Sequence, residues 1–148
     1  MFYLAYGSNL NVEQMRYRCP DATIVGTAVI KDYRLMFKGS QTGAYLTIEP
    51  EVGCSVPVAV WKVSERDIAS LDRYEGYPTF YYKKTMNVYC SDGHRHKSFV
   101  YIMHEDRVLG IPSEYYVRTC IDGYRSFGFD LAVLDEAVNY SKKGGAVA

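Results

Sequence analysis

Apolar and polar positions alternate in two rhythms along this chain. The run Phe-Tyr-Leu-Ala-Tyr at 2–6 is short and continuous, and it predicts a buried strand that Gly7 ends. Asn11 then caps a helix over 12–18, with Gln14 at the reciprocal position of a capping box and Pro20 beyond its end. Val12, Met15 and Cys19 mark the inner side of that helix, and Arg16 and Arg18 lie outside or at a cleft edge. From 22 to 37 the apolar positions alternate loosely around Gly26 and Asp32, which predicts one bent strand or two joined strands, with a bulge at Gly26. A loop over 38–43 is followed by a strand over 44–48 that Pro50 ends, and by a turn over 51–55. The stretch 56–63 is apolar on both faces and predicts a central strand with Pro57 near its start.

Helical spacing returns at 65–74. Ser64 caps it, Glu65 and Asp67 stand in its first turn, and Ile68 and Leu71 face inward. Gly76 and Pro78 limit this helix, so Glu75 sits at its exit. A long aromatic strand over 80–90 turns at Ser91-Asp92-Gly93-His94 into an antiparallel strand over 95–103, and 105–110 reads as a linker. Ser113 caps a helix over 114–127 that Gly128 ends, and Asp130 caps a last helix over 131–140. A frayed, flexible tail is expected from about 141. After the first strand–helix unit there is no regular strand–helix alternation. The pattern therefore predicts a single α+β domain, a small mixed and mainly antiparallel β-barrel flanked by helices, not a doubly wound parallel sheet.

The length of 148 residues suits one domain with a real core. Seventeen basic and seventeen acidic residues cancel without a basic tract, which argues against nucleic acid or an anionic membrane as partner. The four cysteines form no close pair and no metal-ligand spacing, and neither a signal peptide nor a membrane-length apolar run is apparent. Reduced structural thiols in a cytoplasmic protein follow as the expectation, with no cofactor and no metal. His94 and His96 would share a strand face beside the hairpin turn, where exposed turn histidines are the simpler reading than a two-ligand metal site. Fifteen tyrosines supply apolar bulk together with hydroxyls able to meet a polar ligand.

There is no dinucleotide fingerprint, no Walker loop and no His-Glu-x-x-His, and Ser8 in Gly7-Ser8-Asn9 is not a nucleophile elbow. The strand–turn–helix at 2–14 has a different use. It points successive backbone N–H groups at a helix entrance, which suits a carboxylate or phosphate; a plain Gly turn with an Asx cap is the alternative. Glu75 is either an exposed helix-end residue or a carboxylate aimed into a cleft.

Taken together, Tyr6-Gly7-Ser8-Asn9-Leu10 after the first strand and Leu71-Asp72-Arg73-Tyr74-Glu75-Gly76-Tyr77 after a mid-chain helix resemble the gamma-glutamylcyclotransferase family, which includes AIG2-like and gamma-glutamylamine cyclotransferase proteins. The likeness runs from Phe2 to about Gly128. It implies that Tyr6, Gly7, Ser8, Asn9 and Leu10 bind the gamma-glutamyl end of a substrate and that Glu75 is the acid/base. It also implies that Tyr82 and Tyr116 contact substrate, with Tyr115 exchangeable for Tyr116. Ala59 stands where the family often has Gly, which bears on acceptor size. The implied reaction converts a gamma-glutamyl amino acid, peptide or amine into 5-oxoproline with release of the amine. A non-catalytic carboxylate- or metabolite-binding module of the same fold is the alternative, and a hydrolase or acyl-transfer enzyme a weaker third. Asp72 is the nearest rival to Glu75. The leaving group and the oligomeric state, monomer or homodimer, stay open.

Overall fold

Side-chain caps decide where the helices begin. In the computed structural model, which describes residues 1–40 and 43–144, the Asn11 side chain accepts from Gln14 N–H and opens α1 (Val12–Arg18). Ser64 and Asp67 form a reciprocal capping box at the start of α2 (Glu65–Glu75), and Ser113 accepts from Tyr116 N–H at the start of α3 (Glu114–Phe127). Each such cap satisfies an otherwise orphaned N–H and is worth about 1 kcal/mol. Asp130 Oδ1 accepts from Ala132 N–H ahead of α4 (Ala132–Lys142).

The strands are β1 (Phe2–Ala5), β2 (Thr23–Ser40), β3 (Gly43–Lys62), β4 (Tyr81–Tyr89), β5 (Arg95–Met103) and the short β6 (Val108–Leu109). They form one six-stranded sheet in the order β4-β5-β1-β3-β2-β6. All pairs are antiparallel except β1 with β5. The sheet curls into a half-barrel flanked by helices, as the apolar pattern implies. Across the curl, Tyr81 of β4 donates to the Leu46 carbonyl of β3 at 2.8 Å, and Met103 N–H of β5 donates to Thr47 Oγ1 at 2.9 Å. Leu4, Phe37, Leu46, Val58, Val60 and Trp61 are buried inside.

The bulge expected at Gly26 is present as a register shift between Ile24 and Gly26. The expected break in β3 is not. Residues 44–62 belong to one strand, and the predicted turn at 51–55 is a second irregularity inside it, between the pairs Lys31↔Ser55 and Tyr33↔Pro50. Asp32, at positive φ, stabilises the excursion by accepting from Gly53 N–H at 3.0 Å. Pro57 is accordingly inside a strand, not near its start. It pairs with Val29 of β2, whereas β1 reaches only as far as Ala59, so β3 has a ladder on one side at Pro57, where a missing N–H costs least.

The loop expected over 38–43 is also shorter, because Lys38 and Gly39 pair with Tyr45 and Ala44; residues 41 and 42 lie outside the described residues. The expected linker contains β6, which pairs with Lys38 and Gly39. At the far end α4 carries the helix past the expected start of the tail. Ser141 is buried, its Oγ accepting from Phe37 N–H and donating to Phe37 C=O. The rest of that expectation falls on 145–148, outside the described residues. Among the described residues no helix is long and apolar enough to cross a membrane.

Candidate active site

β1 delivers the chain to Gly7, and Ser8–Leu10 fold into one 3-10 turn before α1. Leu10 N–H closes on Gly7 C=O and Asn11 N–H on Ser8 C=O, both at 3.0 Å. The N–H groups of Gly7, Ser8 and Asn9 find no acceptor among the described residues. These three N–H groups stand where the sequence leads one to expect an anion-favouring nest, one amide fewer than expected because Leu10 N–H is used inside the turn. Leu10 itself is fully buried and anchors the turn beneath α3, at Gly123. A Cβ on Gly123 would stand 2.6 Å from Leu10 backbone and 2.8 Å from Asn11 N, so only glycine permits that approach.

The turn borders a cavity of about 350 Å³. Gly7, Ser8 and Asn9 form one wall, Tyr74, Glu75 and Gly76 another, and Tyr3, Tyr6, Tyr81, Tyr101 and Tyr116 line the rest, with Tyr45, Leu46 and Phe80. Two contacts hold the first two walls together. Ser8 Oγ lies 2.9 Å from Tyr74 Oη. Arg18 stacks its guanidinium 3.4 Å from the Tyr74 ring centroid while donating to Asn9 Oδ1. Arg18 thus occupies the cleft edge that the helical pattern allowed.

Glu75 reaches this cavity because α2 stops abruptly. Gly76 adopts a left-handed conformation with φ of 64°, and its N–H and that of Tyr77 turn back to Arg73 C=O and Asp72 C=O in a Schellman arrangement. The half-buried Glu75 carboxyl has no hydrogen-bond or ion-pair partner among the described residues. Burial pushes its pKa up to about 8, against a lowering pull from Arg18. A carboxyl in this state takes and releases protons near neutrality. Asp72 is placed differently. It accepts from Tyr101 Oη at 2.6 Å and from Lys83 Nζ at 2.9 Å, and it does not line the cavity.

The tyrosines build the walls through neutral hydroxyls. Tyr6 donates to Tyr101 C=O at 2.7 Å, and the Tyr3 hydroxyl accepts from Asn9 Nδ2 at 2.8 Å. Leu46 is gripped from both sides, its C=O by Tyr81 and its N–H by the Tyr116 oxygen at 3.2 Å. Burial, and then the negative charge of Glu75, hold Tyr3 and Tyr6 well above the ordinary phenol range. Burial likewise raises Tyr81 and Tyr116. These phenols stay protonated at neutral pH and act as hydrogen-bonding groups, not as bases. Burial also pushes the Cys19 and Cys120 thiols up to about 12, which removes them as nucleophiles.

Of the residues expected at a site, Tyr6, Gly7, Ser8, Asn9, Glu75 and Tyr116 meet around this cavity. Leu10 supports it from below. Between the neighbours Tyr115 and Tyr116 the fold selects Tyr116, since Tyr115 is 72% exposed. Tyr82 is not brought to the cavity. Its hydroxyl donates to Glu105 at 2.5 Å on the other face of β4, and Tyr81 takes the place expected of it. Alternation along β4 makes 81 and 82 opposite in direction, and pairing with β5, Tyr81↔Met103, decides which points inward. Tyr3, Tyr45 and Arg73 also line the cavity without having been expected there. For Tyr3 the signal was its position in the buried first strand; for Arg73 it was adjacency to Tyr74-Glu75.

Comparison with known proteins bears on the same span. The family model described as gamma-glutamyl cyclotransferase, AIG2-like, matches residues 3–118. A gamma-glutamylcyclotransferase of Bos taurus is 38% identical over 81 residues, which is 50% of this chain and 43% of that protein. That of Homo sapiens is 40% identical over 81 residues with the same two shares. This chain therefore matches less than half the length of these relatives. A solved structure of a gamma-glutamyl cyclotransferase superposes with a TM-score of 0.77 at 28% identity, covering 100% of this chain and 88% of that one.

Proposed function

The chain belongs to the gamma-glutamyl cyclotransferase, AIG2-like family, and on that premise we propose that it converts a gamma-glutamyl amino acid, peptide or amine into 5-oxoproline and a free amine. The observation that carries this reading is the unpartnered Glu75 carboxyl, held near a pKa of 8 in the cavity that Gly7, Ser8 and Asn9 also line. In the reaction the substrate's α-nitrogen bonds to its own γ-carbonyl carbon. A five-membered lactam closes and the bond from that carbon to the leaving nitrogen breaks. Starting from the α-ammonium, two protons must leave the attacking nitrogen, one to Glu75 and one to solvent. The departing nitrogen must gain one to leave as an amine, which takes a second from solvent.

Each step has a group to serve it. The α-ammonium of a bound substrate, beside Glu75, favours the carboxylate and draws its proton off to solvent. Glu75 then accepts the proton of the attacking nitrogen and returns it to the leaving one. The Gly7, Ser8 and Asn9 amides hold the α-carboxylate or the oxygen of the tetrahedral intermediate. A Cβ on Gly7 would come 3.4 Å from the Tyr116 hydroxyl and from the Leu46 side chain, so this corner of the cavity is bounded by both. The Tyr116 phenol, accepting from Leu46, can still donate its own proton to a substrate oxygen. Holding amine and carbonyl together in the cavity supplies a further large factor, since ring closure is intramolecular.

The test is product identification over a panel of gamma-glutamyl amino acids, glutathione and gamma-glutamyl amines. The reading expects 5-oxoproline from at least one of them. Glutamate in its place would make the reaction a hydrolysis, and binding without turnover would return the chain to a binding module.

A further inference from the structure

The β4–β5 hairpin brings together three different donor groups that no step of the proposed reaction uses. Cys90 directly follows β4, Asp92 lies in the turn and His96 is the second residue of β5; their ligand atoms all lie within 4.8 Å of one another. The cysteine spacing of the chain did not reveal this grouping, because only one cysteine takes part and the strand pairing supplies the other two donors. His96 is also not the exposed turn histidine expected from the sequence. Its Nε2 lies 2.7 Å from Asp92 Oδ2, and its ring packs 4.2 Å from that of Phe2.

The turn is built firmly. Cys90 N–H donates to His94 C=O at 2.9 Å, Gly93 N–H to Cys90 C=O at 3.0 Å, and Gly93 takes a φ of 88°. The second Asp92 oxygen accepts from His94 N–H at 2.9 Å, which orients the first toward His96. The adjacent Ser91 binds β2 twice, its N–H donating to Thr27 C=O and its Oγ accepting from Thr27 N–H, both at 2.9 Å. The Cys90 sulfur rests over the bulge at Gly26, where an added Cβ would approach it to 2.8 Å. Cys90 is buried on that side, while Asp92 is exposed, so one face of the group is open to solvent.

We propose that this hairpin binds a thiophilic divalent cation of the zinc class through Cys90 Sγ, an Asp92 oxygen and His96 Nε2, with water completing the shell. Thiolate, imidazole and carboxylate together are the donor set of four-coordinate zinc, not of magnesium or calcium. With metal–ligand bonds of about 2.0–2.3 Å, tetrahedral donors stand roughly 3.5 Å apart. The donors, all within 4.8 Å of one another, need only a small rearrangement, in which the 2.7 Å contact of His96 Nε2 with Asp92 Oδ2 opens to admit the ion. Binding releases the thiol proton of Cys90 and requires His96 as its Nδ1–H tautomer, so that Nε2 presents a lone pair. The site is at the opposite end of the sheet from the cavity. β1 pairs at Phe2 with Ser98, near the hairpin, and runs from there to Gly7. An ion would therefore tie the hairpin strands together without touching Glu75.

Titration of the reduced full-length chain with Co²⁺ tests this. The expected result is a thiolate-to-cobalt absorption band that saturates at one equivalent and is displaced by Zn²⁺. Cys90→Ser should abolish the band, His96→Gln should weaken cobalt binding at least about tenfold, and Cys54→Ser should leave both unchanged. In the unaltered chain, zinc should shift the amide resonances of residues 90–96 and leave those of 7–10 in place. Absence of the band at several-fold excess of Co²⁺ overturns the proposal. So does a band that survives Cys90→Ser, or zinc-induced shifts that lie only outside the hairpin.

Discussion

At the scale of single residues, the proposed reaction depends on a carboxyl whose neighbours withhold hydrogen bonds. Glu75→Gln preserves size and shape but cannot carry a proton, so turnover should fall by about 10²–10⁴, the usual worth of general acid–base help. Asp72→Asn, measured alongside, should lose far less, because Asp72 itself does not line the cavity and is engaged by Tyr101 and Lys83. If Glu75 accepts the proton as carboxylate, kcat/KM of the unaltered chain should rise with pH through an inflection near 8. Stability should run the opposite way. A carboxyl raised from 4.5 to about 8 by folding keeps its proton in the native state where the unfolded chain has lost it. Native stability therefore falls as pH climbs between those values and levels off above them. Glu75→Gln removes that dependence, so in urea unfolding it should exceed the parent in stability at about pH 9 and approach it at about pH 5.

At the scale of elements, the site is set by where short segments touch. The 3-10 turn is fixed by the contact of Gly123 with Leu10, and Gly123→Ala must push α3 off the turn. Overpacking of this kind costs typically about 1–3 kcal/mol. Urea unfolding should show that loss, together with a higher KM, since the displaced turn carries the amides. The same distinction between local and distant causes explains what the sequence disclosed. The bounds of α1 and α3 were legible because Asn11, Ser113 and Gly128 act within a turn of themselves. The Tyr6–Leu10 turn and Glu75 were legible for the same reason, one following a strand and the other preceding the glycine that ends a helix. The continuity of β3 was not, since Pro50 and Gly53 read locally as a turn and only pairing with β2 on either side of 51–54 carries the strand past them. That Tyr81 and not Tyr82 lines the cavity was not legible on similar grounds: which face of β4 turns inward is decided by β5.

At the scale of the whole molecule, a curled sheet must be closed by something other than its own ladder. α4, which lies beyond the span matched by the family model, packs on β2 and places Ser141 where it satisfies both polar groups of Phe37. Ser141→Ala leaves the buried Phe37 N–H without that partner, while Phe37 C=O keeps its bond from Gly110 N–H. A stability loss of about 1–3 kcal/mol is expected in thermal or urea unfolding, with activity kept under conditions where the chain remains folded. The phenol walls have a consequence at the other end of the pH scale. Tyr3, Tyr6, Tyr81 and Tyr116 are all held above their ordinary ionisation range by the folded structure. Above about pH 10 the unfolded chain gives up protons that the native chain retains, and each such group pulls the equilibrium the same way. An alkaline titration followed by phenolate absorbance should thus show the exposed tyrosines ionising gradually and the cavity tyrosines in one abrupt step. That step should coincide with loss of the circular dichroism signal, making these phenols a collective alkaline fuse.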